Sequence, residues 1–158
     1  MLGLTRETDY ALVSLAHLSA RVSPQSQPVS AREIAQEYGL PMALTMKVLK
    51  RLHQAGIISS TRGVHGGYHL AIDPAELRVM DVIGAIEGPL KVTACCDESS
   101  HGAPLPCEVT LRCPITSSVR RLNYEILGLL GEYTLADLMK GQSVGQIRLP
   151  QPADAANE

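Results

Sequence analysis

Cys95, Cys96, Cys107 and Cys113 are the only cysteines of this 158-residue chain, and all four fall within nineteen residues. Thiolates are soft anionic donors for iron and zinc, and they are also redox-active. Such crowding therefore points to a metal site or a thiol switch. A structural zinc site ordinarily shows tighter Cys-x2–4-Cys pairs, whereas only the vicinal Cys95–Cys96 pair is closer than six residues here. Iron–sulfur, zinc and metal-free thiol-switch readings all remain open at this point. Pro114 suits a first helical position, so Cys113 is expected at the N-cap of a long helix, next to Arg112. The positive end of the helix dipole favours an anionic group there.

The second chemically informative group is cationic. Residues 1–72 carry seven Lys/Arg against four Asp/Glu, while residues 73–158 carry seven against twelve. No acid lies between Glu37 and Asp73, a stretch that contains Lys47, Lys50, Arg51 and Arg62. A local basic surface is what phosphate binding needs, because each neutralised phosphate releases counterions.

The elements that must position these groups are mostly helical. Leu4, Ala11, Leu12, Leu15, Ala16 and Leu18 recur largely at helical spacing, predicting a helix over Thr5–Ala20 capped by Thr5. A polar Pro-containing loop over 21–29 follows. Ser30 and Glu33 have capping-box spacing at the start of a short helix that Gly39 ends. Met42–Ala55 is a third helix, with Leu44, Val48, Leu49 and Leu52 inward and Thr45, Lys47, Lys50, Arg51 and Gln54 outward. Strands at 57–61 and 68–71 then bracket R-G-V-H-G-G, whose glycines suit a tight hairpin. Val79–Glu87 reads as a short amphipathic helix stopped by Gly88-Pro89. Beyond the cysteine loop, Ile115, Val119, Leu122, Ile126 and Leu129 alternate at four and three, a coiled-coil-like seam on the longest helix that suits a homodimer. Thr134–Met139 is a last short helix.

The expected fold is mainly α with a small β wing: a winged helix-turn-helix followed by a long dimerisation helix. Residues 1–90 form the DNA-binding part, 91–113 the cysteine-rich cluster-binding loop, 114–140 the dimerisation and terminal helices, and 141–158 a flexible tail. With no Trp and no Phe, the core is aliphatic. No stretch is long and apolar enough for a membrane span, and the first residues lack a signal pattern. A reducing cytoplasm is therefore expected, where clustered cysteines serve as ligands or redox centres.

In a duplex, Met42–Ala55 would enter the major groove. Thr45 and Lys47 are candidates for base or phosphate contact, and Lys50 and Arg51 for phosphate. Ser30 and Arg32 would meet the backbone from the preceding helix. Arg62 at the hairpin tip would enter the minor groove, with His65 beside it.

The segments L-T-R-E-T-D-Y-A-L, R-G-V-H-G-G-Y-H-L-A, E-G-P-L and T-L-A-D-L-M resemble the Rrf2 family of regulators, which includes iron–sulfur regulators of the IscR, NsrR and SUF-regulator types. The resemblance runs from about Leu4 to Met139. It implies a dimeric winged-helix transcription factor carrying a [2Fe–2S] or [4Fe–4S] cluster on three loop cysteines. Cys95, Cys107 and Cys113 match them best, with Cys96 as an alternative first ligand. IscR-like members place a fourth ligand, His, where this chain has Thr116. NsrR-like members use an Asp reaching in from the partner subunit, which Asp9 matches, and Cys96 and His101 compete locally.

The expected function is a cluster-sensing transcriptional repressor of iron–sulfur assembly, iron, or redox and nitric oxide stress genes, reading a pseudo-palindromic operator. A zinc- or thiol-responsive repressor of the same fold is the alternative. No Cys-x-x-Cys motif, phosphate loop or nucleophile–base pair supports an enzyme.

Overall fold

The computed structural model describes residues 4–21, 27–63, 66–96, 107–110 and 112–140. Three expectations lie outside them: the DNA contact by His65, the ligand role of His101 and the tail over 141–158. The chain is mainly helical with one two-stranded sheet. Its elements are α1 (Arg6–Ser19), α2 (Ala31–Glu37), α3 (Met42–Gln54), β1 (Ile58–Thr61), β2 (Gly67–Leu70), α4 (Val79–Glu87), a 3₁₀ turn (Ala94–Cys96), α5 (Thr116–Glu132) and α6 (Leu135–Met139). Among the described residues, no helix is long and apolar enough to cross a membrane.

Each of the first three helices buries one apolar stripe, and the stripes meet. Ala11, Leu15 and Leu18 of α1 pack with Ile34 of α2 and with Val48, Leu49 and Leu52 of α3. The chain leaves α2 and α3 through glycine. Gly39 and Gly56 adopt φ of +63° and +73° just past α2 and α3, a conformation L side chains rarely enter. At α2, Ser30 Oγ accepts from Glu33 N at 3.1 Å. The Glu33 carboxylate pairs with Arg21 at 2.5 Å and lies 3.9 Å from His17.

The wing is the antiparallel pair β1–β2, in register Ile58 with Leu70 and Thr61 with Gly67. Val29 adds a bridge to its outer edge, exchanging hydrogen bonds with Tyr68 at 2.8 and 3.0 Å. That close approach needs glycine next door: a Cβ on Gly67 would stand 2.6 Å from the Val29 carbonyl oxygen.

One long-range tie was not legible from local pattern. Leu77–Val79 pairs with Tyr133–Leu135 through Val79 N to Tyr133 O (2.9 Å) and Leu135 N to Leu77 O (2.8 Å). Arg78 also donates to the Gly131 carbonyl at the end of α5. Leu135 of α6 thereby enters the same core as Leu15 and Ile34. The chain thus leaves the winged unit along α5 and returns to it.

Candidate DNA interface and cysteine centre

The cationic face is built on α3. Its inner positions are Thr45, Val48, Leu49 and Leu52, all buried. Thr45 corrects the sequence expectation: it is 0% exposed, and its hydroxyl donates to the Pro41 carbonyl at 3.2 Å. Its spacing explains this, since position 45 lies one turn before Leu49 on the core side. It cannot touch DNA from there. Met42, Ala43, Met46, Lys47, Lys50, His53 and Gln54 are the exposed positions. Arg62 is exposed at the end of β1, Arg32 is exposed on α2, and the Ser30 hydroxyl is engaged in capping.

Two of the cations have internal partners. Glu7 of α1 accepts from Lys47 Nζ at 2.5 Å and from Arg51 Nη1 at 3.0 Å. The same Arg51 nitrogen donates to the Ile86 carbonyl at 2.7 Å. This carbonyl lies in the last turn of α4, where helix carbonyls lack intrahelical partners. Arg51 therefore joins α3 to α1 and to the end of α4.

Glu87 strengthens the same junction. Its Oε1 accepts from Thr5 Oγ1 (2.6 Å), Thr5 N (3.0 Å) and Thr8 Oγ1 (2.5 Å). Thr5 makes no side-chain cap of its own to α1, so a carboxylate 82 residues away supplies acceptors at that helix start instead. Hydrogen bonds from the Thr5 and then the Thr8 hydroxyl hold the Glu87 carboxyl below its ordinary value of 4.5. Glu87→Ala is expected to destabilise by about 1 kcal/mol, the scale of a lost helix cap. Because the folded value is depressed, this stabilisation is complete above the ordinary value and fades as pH falls through the lowered one. Urea unfolding of parent and variant, repeated at decreasing pH, should show their difference shrinking on acidification.

The cysteine-bearing segments are tied to α5. All four are free thiols. The 3₁₀ turn bearing Cys95 and Cys96 is fastened to α5 at three points. Asn123 Oδ1 accepts from Val92 N at 2.9 Å, Arg120 Nε donates to the Cys95 carbonyl at 3.1 Å, and Cys96 Sγ reaches the Val119 carbonyl at 3.9 Å. Cys96 is buried there and Cys95 half-buried. The Thr93 hydroxyl stands 3.1 Å from the Cys95 sulfur and 3.4 Å from that of Cys96. Cys107 opens a turn closed by Thr110, whose carbonyl accepts from Thr116 Oγ1 at 3.2 Å.

Cys113 stands just before the helix, and here the sequence expectation needs correction. The N-cap is Ile115 and α5 begins at Thr116. Pro114 and Ile115 form an open turn, with Thr116 N to Cys113 O at 3.5 Å, and the first firm helical bond runs from Val119 N to Ile115 O at 2.9 Å. The thiol still feels the helix start. The Thr116 hydroxyl, then the Ile115 and Thr116 amides, hold the Cys113 thiol below its ordinary value. Thr116 therefore supports thiolate at Cys113.

Free soft donors, one of them biased toward thiolate and all attached to the head of one helix, suit an iron–sulfur group in donor chemistry. Among the described residues, no three of His, Cys, Asp and Glu stand together as a metal-ligand set. Asp9, exposed on α1, belongs to no such group.

A three-helix head with a basic second reading helix and a glycine-shaped wing defines a winged-helix transcriptional regulator. The Rrf2 family model, described as iron-dependent transcriptional regulators, matches residues 4–141. The chain belongs to the Rrf2 family. It is 29% identical over 153 residues to the HTH-type transcriptional regulator IscR of Vibrio atlanticus, covering 97% of this chain and 84% of that one. A transcriptional regulator from Listeria innocua has a similar structure, with TM-score 0.70 and 28% identity, covering 96% of this chain and 95% of that one. IscR of T. potens is also similar, with TM-score 0.64 and 27% identity over 94% of this chain and 93% of that one.

Proposed function

We propose that this regulator is a homodimeric, cluster-responsive repressor in which occupancy of the cysteine centre sets affinity for a pseudo-palindromic operator. The observation that carries the reading is the fastening of the Cys95–Cys96 turn, the Cys107 turn and Cys113 to the first turns of α5. Cys95, Cys107 and Cys113 are the candidate cluster ligands. Cys95 is preferred to Cys96 because it is the more exposed of the pair, whereas Cys96 is buried against α5. Asp9 of the partner subunit is the candidate fourth ligand. A bound cluster would supply an iron centre sensitive to oxidation and nitric oxide, which suits control of iron–sulfur assembly, iron, or redox-stress genes.

The chain's own residues perform the rest. Asn123 and Arg120 hold the cysteine turn on α5, so a change in that turn bears on the dimer helix. Glu87 and Arg51 tie the end of α4 to α1 and α3. The spacing of the two reading heads is therefore linked to the seat of the cysteines. In DNA, α3 lies in the major groove, with Lys47 and Lys50 toward phosphate or base, Arg32 and the start of α2 on the backbone, and Arg62 in the minor groove.

A thiol-responsive repressor is the second reading. It draws on Cys113, whose lowered thiol and partial exposure are also the setting of a reactive cysteine. Anaerobic purification with iron and sulfide analysis separates the two. The cluster reading expects brown protein with iron and sulfide. Cys107→Ala and Cys113→Ala should lose both, Cys95→Ala should lose more than Cys96→Ala, and Asp9→Ala should load weakly or lose its cluster on brief exposure to air. Colourless, iron-free parent protein with a Cys113 thiol that alkylates fast near neutral pH would leave the thiol reading.

A further inference from the structure

The outer face of α3 carries two large apolar side chains that the fold does not use. Met42 and Met46 are 46% and 45% exposed, near the N-terminal end of the helix that enters the groove. They stand four residues apart, so they occupy one face, one turn after the other. Ala43 is exposed between them, and Lys47 and Lys50 continue the exposed surface toward the C-terminal end. The one hydroxyl of this helix, on Thr45, is buried and bonded to Pro41. The groove-facing first turns of α3 therefore offer an apolar surface bordered by cations.

Each base edge has its own chemistry in the major groove, and the apolar feature there is the 5-methyl group of thymine. Methionine is unbranched and polarisable, so it can settle against such a group where a shorter side chain leaves a gap. Hydrogen-bonding base edges gain little from a thioether, which is only a weak acceptor. We infer that Met42 and Met46 are specificity-determining residues that select thymine methyl groups in the major groove of each half-site. Lys47 and Lys50 hold the flanking phosphates at the same time. This rests on the placement of α3 in the groove given under Proposed function, and it adds which bases that helix chooses.

The test begins with duplexes selected by the full-length protein from a randomised pool. Each thymine of the selected sequence is then replaced by deoxyuridine, which removes the methyl group and leaves every hydrogen bond. For the parent, particular positions should lose about fourfold in affinity, the scale of withdrawing one carbon from apolar contact. Met46→Ala or Met42→Ala should bind the thymine and uridine duplexes equally at those positions. Both side chains are exposed, so the variants should keep the parent fold and melting temperature. The inference is overturned if uridine is neutral everywhere, if both variants feel the same loss as the parent, or if the selected sequences contain no recurrent thymine. Lys50→Ala and Arg62→Ala provide the separate check on the groove placement. If both leave affinity and its salt dependence unchanged, α3 does not face DNA, and the methionine assignment falls with it.

Discussion

Replacing Leu122 and Leu129 together by glutamate is expected to convert the proposed dimer into monomers and to lower operator affinity by at least about 100-fold, the avidity lost when two linked reading heads become one. The two leucines are 48% and 45% exposed, and none of the residues of α5 is fully buried. The seam is divided between two duties. Val119 and Ile126 are half-buried, on a helix that packs against α4 and the cysteine turn. Leu122 and Leu129 are the exposed seam positions that the proposed homodimer would cover. Covering the exposed half of each leucine contributes about 1 kcal/mol on the usual scale for a buried aliphatic side chain. In a two-fold interface every residue acts twice, so the substitution removes four such contributions and places four carboxylates in the contact. Sedimentation at micromolar concentration reads the assembly state, and operator titration reads the affinity. A variant that sediments as a dimer and binds like the parent would show that α5 is not the pairing surface.

Arg51→Met should destabilise the fold by about 2 kcal/mol, the range for hydrogen bonds to a charged group, and should leave the salt dependence of DNA binding almost unchanged. Arg51, with Lys50, is an outward basic residue expected from sequence to grip phosphate. Its guanidinium instead donates to Glu7 and to the Ile86 carbonyl. Removing it leaves that carbonyl without its donor and frees the end of α4 from the reading helix. A residue that neutralised one phosphate would on loss reduce the salt slope by nearly one. Unfolding in urea and operator titration across a range of salt separate the two roles. Unchanged stability with a slope lower by about one would return Arg51 to the phosphate contacts.

Short-range chemistry made much of the fold legible. Glycine and proline punctuation located the ends of α2 and α3, and helical periodicity located α1 and α4 to within a residue. The R-G-V-H-G-G run marked the wing, although the need for Gly67 comes from Val29, which no local pattern pairs with it. Periodicity failed at Thr45 because a threonine can satisfy its hydroxyl within its own helix and then pass as an inner residue. The N-cap expectation at Cys113 failed because Pro114 permits a helix start without requiring one, and the ladder began at Ile115. The ties with the greatest reach were invisible. Glu87 with Thr5 and Thr8, Arg51 with Glu7 and Ile86, and Leu77–Val79 with Tyr133–Leu135 each join segments whose proximity depends on the whole chain. The cysteines were legible as a group through residue type alone, whereas their fastening to α5 by Asn123, Arg120 and Thr116 was not.

The most direct measurement is operator affinity, at one fixed salt concentration, for protein purified without oxygen and for the same protein stripped of iron by chelation. A coupling of about 1–3 kcal/mol predicts affinities that differ about 5–150-fold between the two forms. Cys113→Ala should bind with the stripped value whichever treatment it receives. Equal affinity for the iron-loaded, stripped and Cys113→Ala proteins would contradict the account and leave a winged-helix regulator whose cysteines have no part in its control.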